Sequence, residues 1–101
     1  MSESAVRMSE SGELLLSGVL DYRTGPNLRK QGQALIKSSN AAALVVDCSS
    51  VEKSSSVGLS LLLCFMRDAQ AAGKALSIRA MPDDMREIAQ VSELTELLAQ
   101  P

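Results

Sequence analysis

The chain has 101 residues, 46% of them apolar and 22% charged, with a net charge of −2. That length fits one domain with a modest core and is too short for two; the apolar fraction excludes a disordered chain. The slight acidity leaves no basic footprint for a nucleic-acid backbone, so no nucleic-acid partner is expected. With one Phe, one Tyr and no Trp, the core has to be aliphatic, and single-stranded nucleic acid would find no aromatic platforms to stack on. Histidine is absent, which removes the commonest general base and metal ligand and prevents a Ser-His or Cys-His nucleophile pair. Cys48 and Cys64 each sit in an apolar run and read as small buried hydrophobes. No metal, cofactor or catalytic motif is expected, because paired carboxylates and Gly-rich phosphate cradles are missing and the six glycines are scattered.

The first four residues, Met1-Ser2-Glu3-Ser4, are polar and acidic, unlike a signal peptide. They read as a flexible lead-in to a single domain spanning residues 1–101. Residues 13–18 form a short apolar run closed by Gly18, a strand, and residues 5–9 are a weaker strand able to pair with it through Ser11-Gly12. Thr24 is a plausible N-cap and Pro26 suits a first helical turn. Leu28, Gly32, Leu35 and Ile36 then share one face of an amphipathic helix that runs to about Lys37.

Residues 43–48 are a β-branched apolar run that reads as a central strand buried on both faces. A polar loop over residues 49–55 follows, then a helix from about Ser56 to Ala72 closed by Gly73. Residues 75–80 alternate as a strand. Pro82-Asp83-Asp84 opens a third helix carrying Met85, Ile88 and Ala89 inward, and a last segment presents Leu94, Leu97 and Leu98. The alternation predicts an α/β fold: an open, mainly parallel sheet with an antiparallel hairpin leading in, and helices mainly on one side. No apolar run approaches the roughly 18 residues that span a bilayer. The longest, residues 59–66, is broken at Ser60 and stops at Arg67. The chain therefore reads as cytoplasmic, reaching a membrane only through a partner.

The functional expectation centres on residues 45–63, where a buried strand meets a serine-rich loop and an apolar helix. Loops at the carboxyl ends of strands are the functional loops of open α/β sheets. Ser54, Ser55 and Ser56 bracket the helix start, either as cap and loop residues or as partner-contacting, phosphorylatable hydroxyls. Gly58 lets a partner approach, or simply packs on the sheet. Leu59, Leu62, Leu63, Met66 and Ala69 make an inward stripe, while Leu61, Cys64 and Phe65 extend apolar character around the helix. Full burial is hard to arrange in so small a domain, so Val57, Leu61 and Phe65 are expected to meet a partner; coverage by neighbouring helices is the alternative. Asp47 reads as a turn-forming carboxylate, or less simply as a functional one.

Leu16-Ser17-Gly18-Val19-Leu20-Asp21 with Thr24 and Leu28, then Val45-Val46-Asp47 with Val51, then Ser56-Val57-Gly58-Leu59 and the leucine run, together resemble the STAS domain family. The resemblance covers about residues 13–98. It implies a non-catalytic interaction module with a small mixed sheet and about four helices. Two single-domain groups of that family fit the length. One is the cytosolic STAS subunit of a phospholipid-transport ABC complex that maintains outer-membrane lipid asymmetry; its partners are an ABC ATPase subunit and, indirectly, a membrane permease. The other is the anti-sigma factor antagonists, in which the hydroxyl aligned with Ser56 is phosphorylated by an anti-sigma factor kinase. The chain has Ser55 where both groups commonly carry an acid, and Val57 in the third position. That departure weakens kinase recognition more than docking, so the transporter subunit is the preferred expectation.

Overall fold

A computed structural model describes residues 4–91. The elements are β1 (Ala5–Met8), β2 (Glu13–Leu20), α1 (Gly25–Ser38), β3 (Ala43–Ser54), α2 (Ser56–Ala71), β4 (Ala75–Arg79) and α3 (Asp83–Val91). The sheet order is β1-β2-β3-β4. The β1–β2 pair is antiparallel, and β2–β3 and β3–β4 are parallel. This is the mixed α/β fold expected from sequence, with three helices among the described residues. Leu94, Leu97 and Leu98 lie outside them.

The hairpin forms because Ser9 closes its turn twice. Its amide donates to the Glu13 carbonyl at 2.7 Å, and its hydroxyl accepts the Glu13 amide at 3.0 Å. Along β2, Leu14, Leu16 and Leu20 are buried while Leu15, Ser17 and Val19 are half-buried, the period-two pattern of a sheet covered on one face. Ser4, expected in a flexible lead-in, is hydrogen-bonded through its hydroxyl to both the Val19 carbonyl and the Val19 amide.

Two expectations for the central strand are corrected. In β3, Leu44, Val46 and Cys48 are buried but Val45 and Asp47 are only half-buried, because the described helices cover a single face. The strand also does not end at Cys48. It continues through the expected loop to Ser54, pairing with β2 from Ser17↔Ser50 to Leu20↔Ser54. Register shifts between Leu15 and Ser17 and between Gly18 and Val19 absorb the extra residues of β3, as bulges do. Polar side chains persist there because Ser49, Ser50, Glu52 and Lys53 face water while Val51 points inward.

On the open face, Arg79 bridges two carboxylates so that three strands are tied together. Arg79 of β4 reaches Asp47 at 2.7 Å and Glu13 of β2 at 2.5 Å. Asp47 also accepts the Ser49 amide at 2.8 Å. The Arg79 guanidinium, with Ser49, lowers the Asp47 carboxyl from 3.8 to about 2. Asp47 is thus a sheet tie.

The covered face is held by α1 against α2. Leu28 and Ile36 of α1 are buried, and the ring of Phe65 lies where a side chain on Gly32 would otherwise sit. Thr24 holds the N-cap position of α1 as expected, but its hydroxyl makes no capping bond. Its hydroxyl instead accepts the Asp21 amide at 3.0 Å and donates to the Val19 carbonyl at 2.9 Å, and α1 has no side-chain cap. Helix α2 closes as expected at Gly73: the Lys74 amide reaches the Ala69 carbonyl and the Gly73 amide the Gln70 carbonyl, a Schellman pair.

Gly32→Ala drives a methyl into the fully buried Phe65 ring. Overpacking costs about 1–3 kcal/mol and helix propensity returns about 1 kcal/mol. A net loss of up to about 2 kcal/mol is expected, read as a lower urea midpoint at unchanged slope. A second expectation concerns pH. A carboxyl whose folded pKa is depressed stabilises the fold above its unfolded value and loses that contribution as pH falls through the folded one. The Asp47 contribution is therefore present above about 3.8 and fades toward about 2, and Asp47→Asn flattens the urea midpoint across that window.

Candidate functional site

The site is built where two parallel strands deliver their helices side by side. Strand β2 ends at Leu20 opposite Ser54 of β3, so the β2–α1 and β3–α2 junctions are neighbours at one end of the sheet. The Ser55 amide donates to the Leu20 carbonyl at 3.0 Å, stitching the junctions together.

The three serines have different fates. Ser54 is buried; its hydroxyl donates to the Ser55 carbonyl at 2.8 Å and its amide to Asp84 of α3 at 3.0 Å. Ser55 is the N-cap, its hydroxyl accepting the Val57 amide at 3.2 Å, which satisfies one of the orphan donors of a helix start. Ser56 is the first residue of α2 and is exposed; its hydroxyl has no hydrogen bond among the described residues. The cap therefore lies one residue before the hydroxyl that the sequence singled out.

Gly58 is buried beneath them. A methyl there would overlap the Ser54 hydroxyl and lie 3.2 Å from Leu20 Cδ1. Its lack of a side chain lets the first turn of α2 seat on the ends of β2 and β3, so Gly58 serves packing.

Two expected contact residues are corrected. Leu61 is only 4% exposed and Phe65 is fully buried. The physical reason is α1, which lies alongside α2 and covers the flank that the sequence left open. Between the helices remains an open apolar depression of about 170 Å³, lined by Gly25, Pro26 and Arg29 of α1 and by Val57, Ser60, Leu61 and Cys64 of α2. Leu61 is its floor, and Val57 and Cys64 are half-buried walls. Val57 Cγ1 is so near α1 that it lies 2.8 Å from where a side-chain carbon on Gly25 would sit. Sequence reasoning did not place Gly25, Pro26, Arg29, Ser60 or Asp84 at this site. Positions 57, 60, 61 and 64 share a helix face by their spacing, a usable signal; that α1 supplies the opposite wall is visible only in the fold.

The chemistry of the site is that of contact. Cys48 is enclosed, and burial, with the Asp47 charge adding, pushes its thiol up to about 12, so it is not a nucleophile at neutral pH. Asp21, at the foot of α1, is spent on Arg23 at 3.0 Å, which lowers its carboxyl. No helix among the described residues is long and apolar enough to cross a membrane.

A mixed sheet with helices on one face, and a hydroxyl-bearing helix start beside the groove of two helices, are the features of a STAS-type fold. The chain belongs to this family: the family model described as "Mlab, STAS domain" matches residues 4–99. Among solved structures, it is similar to the MlaB subunit of the Acinetobacter MlaFEDB complex in an ATP-bound conformation, at 25% identity over 95% of this chain and 98% of that one, with a TM-score of 0.81. It shares the fold of the anti-sigma factor antagonist SpoIIAA in its unphosphorylated form, at 18% identity over 90% of this chain and 81% of that one (TM-score 0.70). The phosphorylated form of the Bacillus cell fate determinant SpoIIAA matches at 20% identity over 90% and 84%, with a TM-score of 0.63. No curated protein matches the sequence.

Leu61→Asp places a charge on the floor of the groove, against the core, where an unpaired carboxylate costs several kcal/mol. The variant is expected to lose cooperative thermal unfolding, followed by circular dichroism. Ser60→Asp, exposed one residue away, is expected to melt within a few degrees of the parent.

Proposed function

We propose that this chain is a non-enzymatic, cytosolic STAS subunit that binds and supports the ATPase of an ABC-type phospholipid transporter, and through it associates with a membrane permease. The observation that carries this reading is the similarity to the MlaB subunit of the Acinetobacter complex along nearly the whole of both chains. The docking surface is the start of α2 and the groove beside it: Ser55, Ser56 and Val57 at the rim, Cys64 on the wall and Leu61 as the floor. The apolar lining supports protein contact, since desolvated apolar pockets with polar rims are where interface energy concentrates.

A second reading is favoured by one feature, the exposed and unengaged hydroxyl of Ser56 at the first position of α2. A phosphate there would meet unpaired helix N–H groups and the positive end of the dipole. On this reading the chain is an anti-sigma factor antagonist in a partner-switching pathway.

One set of measurements separates the two. The ATPase subunit of the transporter from the same organism is expected to co-purify with this chain and to slow thiol labelling of Cys64 in the groove wall. Ser56→Asp, which introduces a charge into that contact, is expected to weaken the complex by roughly tenfold or more. An intact mass raised by one phosphate in protein from its native cells, and restored by Ser56→Ala, favours the antagonist; absence of the ATPase complex removes the transporter reading.

A further inference from the structure

Charge is distributed unevenly over the chain. Ten cationic and twelve acidic residues give the net −2, yet α1 and α2 together hold Arg29, Lys30, Lys37 and Arg67 against one acid, Asp68. Helix α1 contains no Asp or Glu. The four cations are exposed, whereas the Asp68 side chain is 10% exposed.

Their placement follows the groove. Pro26, Lys30, Gln33 and Lys37 are spaced by four, three and four residues and so form one stripe of α1. Pro26 lines the groove and Gln33 reaches Asp68 of α2 at 3.5 Å, so this stripe borders the groove, with Lys30 and Lys37 on its exposed side. Arg29 itself lines the groove. On α2, Arg67 is exposed like Ser60 and Ser56, which lie seven and eleven residues before it on the same stripe.

Asp68 does not exhaust Arg29. The pair stands at 3.7 Å, outside hydrogen-bond range, and the guanidinium side of Arg29 stays 46% exposed. The second Asp68 oxygen is buried with no hydrogen-bond partner among the described residues. A guanidinium has five donors in a fork suited to carboxylate, and among the described residues those of Arg29, at the groove wall, have no acceptor within hydrogen-bond range.

We propose that the α1–α2 face selects its partner electrostatically: the occupant is a protein segment that seats an aliphatic side chain over Leu61 and carries carboxylates that engage Arg29, Lys30 and Arg67, with Arg29 the specificity residue. The inference rests on the docking surface proposed above and names the chemistry of the partner that fits it. A protein segment suits the geometry better than a lipid surface, because the apolar element between the cations is recessed. The large exposed apolar residues among those described, Tyr22 and Val91, lie on neither helix.

The test uses the full chain, the ATPase subunit from the same organism, and vesicles of phosphatidylglycerol. Arg29→Gln, Lys30→Gln and Arg67→Gln are each expected to raise the dissociation constant for the ATPase about three- to fivefold, the scale of rim charge pairs. Lys30→Glu with Arg67→Glu is expected to abolish measurable binding while leaving the thermal melt within a few degrees of the parent. Arg86→Gln on α3 is expected to have no effect, and added salt is expected to weaken the parent complex but not that of the triple Gln variant. Binding by the triple Gln variant that equals the parent overturns this inference and leaves the ATPase reading intact. Failure of the parent to bind the ATPase removes both. Parent binding to the vesicles that is lost in the triple Gln variant, with ATPase binding unaffected, overturns the protein partner in favour of anionic lipid.

Discussion

Helices α1 and α2 approach each other as closely as they do because Gly32 offers no side chain and the Phe65 ring takes the vacated space. A fully buried aromatic ring in an otherwise aliphatic core contributes a large share of the apolar area that a chain of this size removes from water. The same contact sets the separation of the two helix starts. Nearer the helix starts Gly25 meets Val57, and beside that contact lies the groove floored by Leu61. Core packing and the groove are thus features of one helix pair.

The serine-rich junction shows how structural demand filters a candidate site. Ser54 and Ser55 look equivalent to Ser56 by composition, yet both are engaged: one beneath the helix and tied to Asp84 of α3, the other capping α2. Asp84 is the unexpected member. Its carboxylate accepts the Ser54 amide and so fastens α3 to the strand end that carries the site. Ser56 is exposed, and its hydroxyl makes no hydrogen bond among the described residues.

Much of the fold was legible. The alternation in β2, the amphipathic spacing of α1, the Gly73 stop of α2 and the acid-first start of α3 are local patterns governed by local geometry, and each element stands where those patterns predict. The misses share a cause. The polar residues 49–54 read as a loop because a solvent-facing strand with bulges has no clean alternation. The ion pair of Asp47 with Arg79 was missed because Arg79 lies on a strand distant in sequence, although the turn bond read for Asp47, from the Ser49 amide, is present. Leu61 and Phe65 read as exposed because a leucine-rich helix carries no mark of which neighbour covers it.

The amino-acid sequence by itself determined the class of fold, the aliphatic core, the absence of histidine chemistry and the location of interest at the start of α2. These follow from composition and short-range periodicity, which depend on residues within a few positions of one another. Only the tertiary structure decided which serine is free, that Leu61 floors a groove rather than facing a partner outright, and that Arg29 stands opposite Asp68. Each of those facts depends on two segments some 35 residues apart being brought together by a parallel crossover, and the energy of such a pairing is written in neither segment alone.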